Sequence, residues 1–272
     1  AGLEAACTAA EVGCNTFLLE KGSELGGLAS LISKIPAKNR LADFPHYLMH
    51  RAEQLENLYI FTNTEGTPEN IRKFHPNIIV SSTGSAPLLP PIAGLKDRID
   101  NEDYNIYSIL GMISHINDFP KDLEGKKVVV VGGGAVGLDV VEFFADRNAD
   151  ISIVEMMDQI GRDLDPVSKN DTKTMMKKHN VHQLTKTALL EVKDSSFLVR
   201  GDGEPYELPF EYGFVCLGMR AQGQLYQSLA EEFSSEDVEI MNIGDSQRAR
   251  RIIDGTQEGR NILTILEQRG YL

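Results

Sequence analysis

Residues 126–155, KKVVVVGGGAVGLDVVEFFADRNADISIVE, constrain the fold more than any other part of the chain. Lys126 and Lys127 lead into Val128–Val131, a β-branched run suited to a strand covered on both faces. Gly132, Gly134 and Gly137 follow in GxGxxG spacing. Leu138 to Ala145 has helical character, and Ile151–Val154 makes a second apolar strand that ends at Glu155. Gly132 permits a tight strand-to-helix turn, Gly134 lets the backbone approach a pyrophosphate, and Gly137 lets the helix pack closely on the sheet. The free N–H groups and positive dipole end of that helix favour phosphates. Glu155, 18 residues beyond Gly137, can accept hydrogen bonds from ribose hydroxyls. Glycine turns are common without a ligand, but here strand, helix and acidic residue all fall where the mechanism needs them. The stretch predicts a dinucleotide site. Met156, Met157 and Asp158 follow Glu155, so a 2′-phosphate would meet carboxylates, and NADH is expected over NADPH. Arg162 is the cation that could fold back toward it.

The opening of the chain repeats this pattern. Shifted by 135, residues 1–20 lie on 136–155 without a gap: Gly2 falls on Gly137, Leu3 on Leu138, Ala10 on Ala145 and Glu20 on Glu155. Thr16–Leu19 falls on the strand Ile151–Val154. A second landmark agrees. NIIVSSTGSAP (77–87) and FVCLGMRA (214–221) are apolar strands ending in a glycine turn, with Gly84 and Gly218 as counterparts. Glu20 to Gly84 spans 64 residues and Glu155 to Gly218 spans 63. Two related α/β units follow from this. Counterparts of Gly132 and Gly134 are absent from the first unit, so the expectation is that they lie upstream of this chain or that the first unit is damaged. The chain also begins with Ala, and residue 1 is expected not to be a translation start.

Composition narrows the alternatives. A formal net charge of −13 argues against binding a nucleic-acid backbone, which needs clustered Lys and Arg. Cys7, Cys14 and Cys216 form no CxxC pair, which speaks against a disulfide framework, a zinc site or a dithiol centre. No apolar run reaches the ~18 residues a membrane span needs, and the start lacks a secretory signal pattern. A cytoplasmic protein is expected.

A tandem of two dinucleotide units with a late glycine–aspartate turn, IMNIGDSQRARRIIDGTQEGRNI (240–262), resembles the two-dinucleotide-binding flavoproteins. AGLEAA, LLEKGSELGGLAS, SSTGSAPLLPPIAG, VVVVGGGAVGLDVVEFFA and VEMMDQIGRDLDP narrow the resemblance to the C-terminal half of the NADH:flavin oxidoreductases of the old yellow enzyme class, the group of 2,4-dienoyl-CoA reductase, trimethylamine dehydrogenase and enoate reductases. It covers nearly the whole chain, with looser matching at 36–75 and 222–239. The resemblance implies FAD in the first unit, held through Gly2, Glu20, Lys21, Gly27, Leu28 and Gly84, with Gly244 and Asp245 returning to the flavin. It implies NAD(H) in the second unit, held through Gly132, Gly134, Val136, Gly137, Glu155 and Gly218. It also implies an N-terminal TIM barrel, carrying FMN and an iron–sulfur cluster, as the electron-accepting partner domain. The family pattern departs here at three places: the first two glycines of the FAD fingerprint are absent, Leu28 follows Gly26-Gly27, and Asp139 stands where relatives have Glu.

The fold expected is α/β with two nested Rossmann-like domains, the first strand of the FAD unit missing. Residues 1–103 and 226–272 form the FAD-binding domain, and 104–225 the inserted NAD(H)-binding domain, with linkers read at 102–111 and 219–223. The function expected is hydride transfer from NADH to FAD. A nucleotide-binding module that holds ADP or NAD without turnover, and a docking fragment that would expose an apolar face and could homo-oligomerise, are the other classes. Elsewhere the plain readings prevail. His46 and His50 sit i, i+4 but lack a third ligand, and His179 and His182 follow a basic helix end. Asp165 or Ser168 caps a helix opened by Pro166. Cys216 lies in an apolar strand. No Ser-His-Asp or paired-carboxylate arrangement stands out, which suits chemistry carried by a cofactor.

Overall fold

The computed structural model describes residues 1–272. From the N-terminus the order is α1 (Gly2–Glu11), β1 (Thr16–Leu19), α2 (Gly27–Ile32), α3 (Asp43–Glu53), β2 (Leu58–Phe61), α4 (Pro68–Arg72), β3 (Ile78–Ser81) and β4 (Ser85–Pro87). Next come α5 (Leu95–Arg98), β5 (Ile106–Tyr107), α6 (Ile109–Ser114), β6 (Lys127–Val131), α7 (Ala135–Ala145), β7 (Asp150–Val154), α8 (Pro166–Lys178) and β8 (His182–Leu184). Then follow β9 (Ala188–Val192), β10 (Ser196–Arg200), β11 (Tyr206–Pro209), β12 (Tyr212–Val215), β13 (Met219–Ala221), α9 (Gln224–Glu232), β14 (Glu239–Asn242), α10 (Ile252–Arg260) and α11 (Ile262–Gln268). The chain divides into two compact units: Ala1–Lys34, Lys38–Ala86 and Met219–Leu272 form one, and Ile35–Ala37 with Pro87–Gly218 the other.

The second unit is built on a five-stranded parallel sheet in the order β5-β12-β6-β7-β8. β6 is central. Val128 to Val131 are at most 3% exposed, as a strand covered on both faces requires. Alternation sends Val130 toward α7, where it lies 3.5 Å from the position of a Cβ on Gly137. It sends Val129 and Val131 into a cluster with Phe197, Val199, Leu95 and Val192, so the antiparallel sheet β11-β10-β9 covers that face. α7 presents Phe143 and Phe144, whose rings meet Phe119 and, for Phe144, Phe214. α8 starts as its sequence dictates. Asp165 is the N-cap, accepting hydrogen bonds from the backbone N–H groups of Val167 and Ser168 at 2.9 and 3.1 Å and from Ser168 Oγ at 2.6 Å, with Pro166 in the first turn.

Residues 87–103, expected with the first domain, lie in this second unit. Leu95 is fully buried in its core, Val192 N–H donates to Ala93 C=O, and Arg98 pairs with Asp194 at 2.8 Å. The polar stretch at 102–111 is no linker: it supplies β5, which pairs with β12. At the other boundary, residues 219–225 lie in the first unit. There β13 pairs with β4, and Gln222 N–H donates to Gly84 C=O.

The first unit contains two separate parallel pairs, β1-β2 and β14-β3. α1 is rich in alanine and is buried on two sides: Ala5 and Ala9 pack with Ile243, Ile262 and Leu266, while Ala6, Cys7 and Ala10 pack with Ala52 and Leu58. α10 crosses α1 closely at Gly259, where a Cβ would come 2.6 Å from Ala1 C=O. Arg51 of α3 clamps α1, meeting buried Glu4 at 2.9 Å and Glu11 at 2.5 Å; Arg260 reaches Glu4 at 3.4 Å. On the sheet face away from these helices, Phe17 stacks on Tyr59 and packs against Phe74, yet remains 41% exposed.

Candidate functional site

In the second unit the glycine turn has the geometry its sequence implies. Gly132 has φ +110°, and a Cβ there would sit 2.1 Å from Cys216 C=O, so both backbone conformation and space demand glycine. Gly137 is held against the turn, a Cβ on it falling 1.9 Å from Gly132 C=O. At Gly134, the N-cap of α7, nothing lies within 4 Å of a Cβ. The backbone there is open to an incoming group while the glycines on either side are packed. Val136 sits half-buried in the first turn of the helix.

Glu155 ends β7 and spans the turn. Its Oε2 accepts from Gly133 N–H at 2.6 Å and its Oε1 from Met157 N–H at 2.7 Å. Each carboxylate oxygen keeps acceptor capacity for a ribose hydroxyl. Gly161 N–H donates to Gly133 C=O at 2.7 Å, so the 156–164 segment is stitched onto the glycine turn and Arg162 follows immediately. A second backbone contact ties this segment down. Lys186, in a left-handed turn with φ +51°, donates its N–H to Met157 C=O. Its distance from Glu155 in sequence hid it from motif reading. Gly218, φ +103°, closes β12 and accepts from Leu88 N–H. These residues fit a dinucleotide. Cys216 beside them is buried, and that burial pushes its thiol up to about 12, so it stays protonated and unreactive.

The first unit repeats the acidic half of this arrangement. Glu20 Oε1 accepts from Gly22 N–H at 2.6 Å, the counterpart of the Glu155–Met157 bond under the 135-residue shift. Lys21 forms an exposed pair with Glu65 at 3.0 Å. Gly27 and Leu28 open α2, behind Gly26 in a left-handed conformation. Three segments converge at the N-terminus of α1, which has no side-chain cap. A Cβ on Gly2 would meet Ser82 Oγ at 2.1 Å, and one on Gly244 would meet Ala1 Cβ at 2.6 Å. Gly84 and Ser85 complete the group, Ser85 Oγ donating to Asp245 Oδ2 at 3.2 Å. Asp245 Oδ1 also accepts from Arg250 N–H at 3.1 Å, and Gly244 N–H donates to Glu258 Oε2 at 2.6 Å. Arg250 in turn pairs with Glu258. Ser85 and Glu258 escaped the sequence reading, although Ser85 directly follows the glycine that was singled out. The residues present fit the ribose end and the Gly244-Asp245 contact of a flavin dinucleotide, but residues 1–272 supply no strand and Gly-x-Gly turn ahead of α1.

The remaining candidates resolve into surface chemistry. His50 faces Glu53 at 3.4 Å, and His182, which opens β8, faces Asp150 at 3.5 Å. Cys7, Cys14 and Cys216 are all free thiols. No helix is long and apolar enough to cross a membrane.

Two nested dinucleotide-binding units define the class: this is a two-dinucleotide-binding flavoprotein fold. The model of the pyridine nucleotide-disulphide oxidoreductase family matches residues 49–241, more than half of the chain, and the protein belongs to that family. Its cofactors are accordingly FAD and a nicotinamide dinucleotide. An NADH oxidase of Thermoanaerobacter brockii is 26% identical over 260 residues, covering 95% of this chain and 38% of the oxidase. A metal reductase of Desulforamulus reducens is 26% identical over 297 residues, covering 96% of this chain and 42% of that protein. Among solved structures, 2-naphthoyl-CoA reductase in complex with 2-naphthoyl-CoA superposes with a TM-score of 0.81 at 22% identity, over 96% of this chain and 37% of that one. The chain thus spans about two fifths of the length of the curated relatives it matches.

Proposed function

We propose that this chain is the electron-input module of a flavin-dependent oxidoreductase, passing a hydride from NADH to FAD and electrons onward to a partner domain. The observation that carries the reading is the repeated acidic clasp: Glu20 with Gly22 and Glu155 with Met157 hold equivalent positions in two dinucleotide folds of one chain. A single hydride-transfer protein needs one donor and one acceptor dinucleotide, and the chain has one fold for each. When bound, the flavin supplies the redox chemistry. The protein's own residues bind and orient. Gly134 admits the NADH pyrophosphate, the N-terminus of α7 faces it, and Glu155 takes the ribose. Asp245, fixed by Ser85 and Arg250, and Glu20 hold the flavin dinucleotide. The carboxylate of Glu155 favours NADH over NADPH.

The partner in this reading is an FMN/iron–sulfur barrel, as the old yellow enzyme resemblance implies, and the much greater length of the relatives leaves room for such a domain. The chain is assigned to the cytoplasm on the same reading. A second reading, a module that holds ADP or NAD without turnover, is the alternative outcome of the same test. The test is to load the purified chain with FAD, remove the free flavin, and record the visible spectrum before and after anaerobic NADH. Retained flavin that bleaches supports electron input, with Glu155→Gln slowing bleaching by NADH and much less by NADPH. NADH binding without retained flavin supports the passive module.

A further inference from the structure

The second unit carries a cleft at the end of its sheet opposite the glycine turn. It measures about 210 Å³ and lies between the starts of β6, β7 and β8 and the end of β11, lined by Lys127, Asp150, Ser152, His182, Leu208 and Pro209. Strand register explains why these side chains meet. Lys127 pairs with Asp150, Val129 with Ser152, and Ser152 with His182, and period-two alternation keeps all five on one face of the sheet. Val129 marks that face as the one covered by the antiparallel sheet, since it packs with Phe197 and Val199. Toward Gly132 and Glu155 the two layers close over buried Val131 and Val154. Toward the strand starts Lys127, Asp150 and Ser152 take the place of such valines, and the cleft opens there.

The polar groups of the cleft have capacity to spare. Asp150 faces His182, with Oδ1 3.5 Å from Nε2, at the outer margin of a hydrogen bond. Lys127 stands beside Asp150 in register, yet its ammonium makes no ion pair within the chain. Glu211 accepts from the Lys127 backbone N–H at 2.7 Å, not from its ammonium. The half-buried Ser152 hydroxyl has no hydrogen-bond partner. Leu208 and Pro209 supply an apolar wall. A simple anion drawn to Lys127 would meet the carboxylate of Asp150, and a simple cation drawn to Asp150 would meet Lys127. A molecule with both charges on one carbon atom satisfies both. Neighbouring strands set Lys127 and Asp150 about 4.8 Å apart at the backbone, a separation that such a molecule bridges.

We infer that this cleft binds a small zwitterion of the α-amino acid class with a short apolar side chain. Its carboxylate accepts from Lys127 Nζ and Ser152 Oγ, its ammonium donates to Asp150, and its side chain lies against Leu208 and Pro209. His182 stands at the rim. Charge-assisted hydrogen bonds at both ends of the molecule fix its orientation. The volume suits a ligand of this size and is too small for a dinucleotide. Gly132 lies beyond the far end of β6, and from Lys127 to Val131 alone that strand rises about 13 Å. The site is therefore separate from the nucleotide site and rests on neither cofactor assignment.

The test is an NMR titration of the isotope-labelled 272-residue chain with L-valine, with isovalerate, which lacks the ammonium, and with isobutylamine, which lacks the carboxylate. The amides of Lys127, Asp150, Ser152 and His182 are expected to shift saturably with L-valine. Each analogue should bind at least about tenfold more weakly, equivalent to about 1.4 kcal/mol. Lys127→Met should bring L-valine down to the affinity of isobutylamine, and Asp150→Asn down to that of isovalerate. Both residues are exposed at strand starts, and unchanged amide positions away from the cleft check that each variant keeps its fold. The L-valine shifts should persist at saturating NADH. The inference is overturned if the four amides do not shift saturably, if either analogue binds as well as L-valine, or if NADH displaces it. Equal weakening of all three ligands by both variants would also overturn it, since loss of shape rather than of charge would then be the cause.

Discussion

The glycines of the second unit allow a sharp separation of folding from binding. Gly137→Ala puts a Cβ 1.9 Å from the carbonyl oxygen of Gly132, where ordinary contact begins near 3.4 Å. The obstacle is backbone in a tight turn, so α7 must retreat from β6 by about 1.5 Å, and overpacking of this kind costs about 1–3 kcal/mol. A rigid backbone neighbour puts the expected cost at the upper end. Gly134→Ala meets nothing within 4 Å and has φ −79°, which alanine adopts freely. Its only structural cost is a poorer N-cap, about 0.5–1 kcal/mol. The methyl would, however, project into the one open approach to the turn. Urea unfolding followed through exchange of the β6 amides measures the first effect, and fluorescence titration with NADH the second. Gly137→Ala should lose about 3 kcal/mol of stability. Gly134→Ala should remain within about 1 kcal/mol of the parent but bind NADH at least about tenfold more weakly. If Gly134→Ala binds NADH within about twofold of the parent, the assignment of that opening to the pyrophosphate is wrong.

Other residues give independent checks. Arg51→Met leaves buried Glu4 with only the longer contacts to Arg260 and Thr8 and should destabilise the first unit by about 3–5 kcal/mol in thermal unfolding, with Glu4→Gln in the same chain restoring much of it. The Arg51 hydrogen bonds hold the Glu11 carboxyl below its ordinary value of 4.5. A depressed folded pKa means this contribution is complete above that value and is lost as pH falls through the lowered one. Acid titration of unfolding should therefore show a slope that Glu11→Gln removes. Burial pushes the thiols of Cys7 and Cys216 up to about 11 and about 12, and Cys14 is the least buried of the three. Maleimide labelling of the native chain near pH 8 should modify Cys14 first, and Cys216 only on unfolding.

Most of what the sequence revealed came from local, strongly patterned stretches. The valine run, the GxGxxG spacing and Glu155 specify one another within thirty residues, and the structure places them as a strand, turn and clasp. The 135-residue repeat carried the same logic to Glu20. What escaped has a different physical basis. Leu95 sits fully buried in a helix of four residues, too short to show a period, so residues 87–103 read as part of the first domain. β5 has two residues and lies in a polar stretch that resembled a linker. The Arg51–Glu4–Arg260 network joins residues far apart in the chain and leaves no local pattern. The same holds for Lys186, brought beside Met157 only by the pairing of β7 with β8.

The way the chain leaves and re-enters the first unit has a further meaning. Leu88 N–H donates to Gly218 C=O at 2.9 Å, so the two ends of the inserted unit stand one hydrogen bond apart, and just outside them β4 pairs with β13. Of that unit only Ile35–Ala37 lies outside Pro87–Gly218, so one excursion of the chain supplies nearly all of it. It also makes the module exchangeable. The segment Pro87–Gly218 can be excised and the flanking strands closed with a short turn, or another nucleotide-binding domain with adjacent termini put in its place. On the function proposed above, such an exchange would replace the nicotinamide-binding unit while leaving the fold of the first unit untouched.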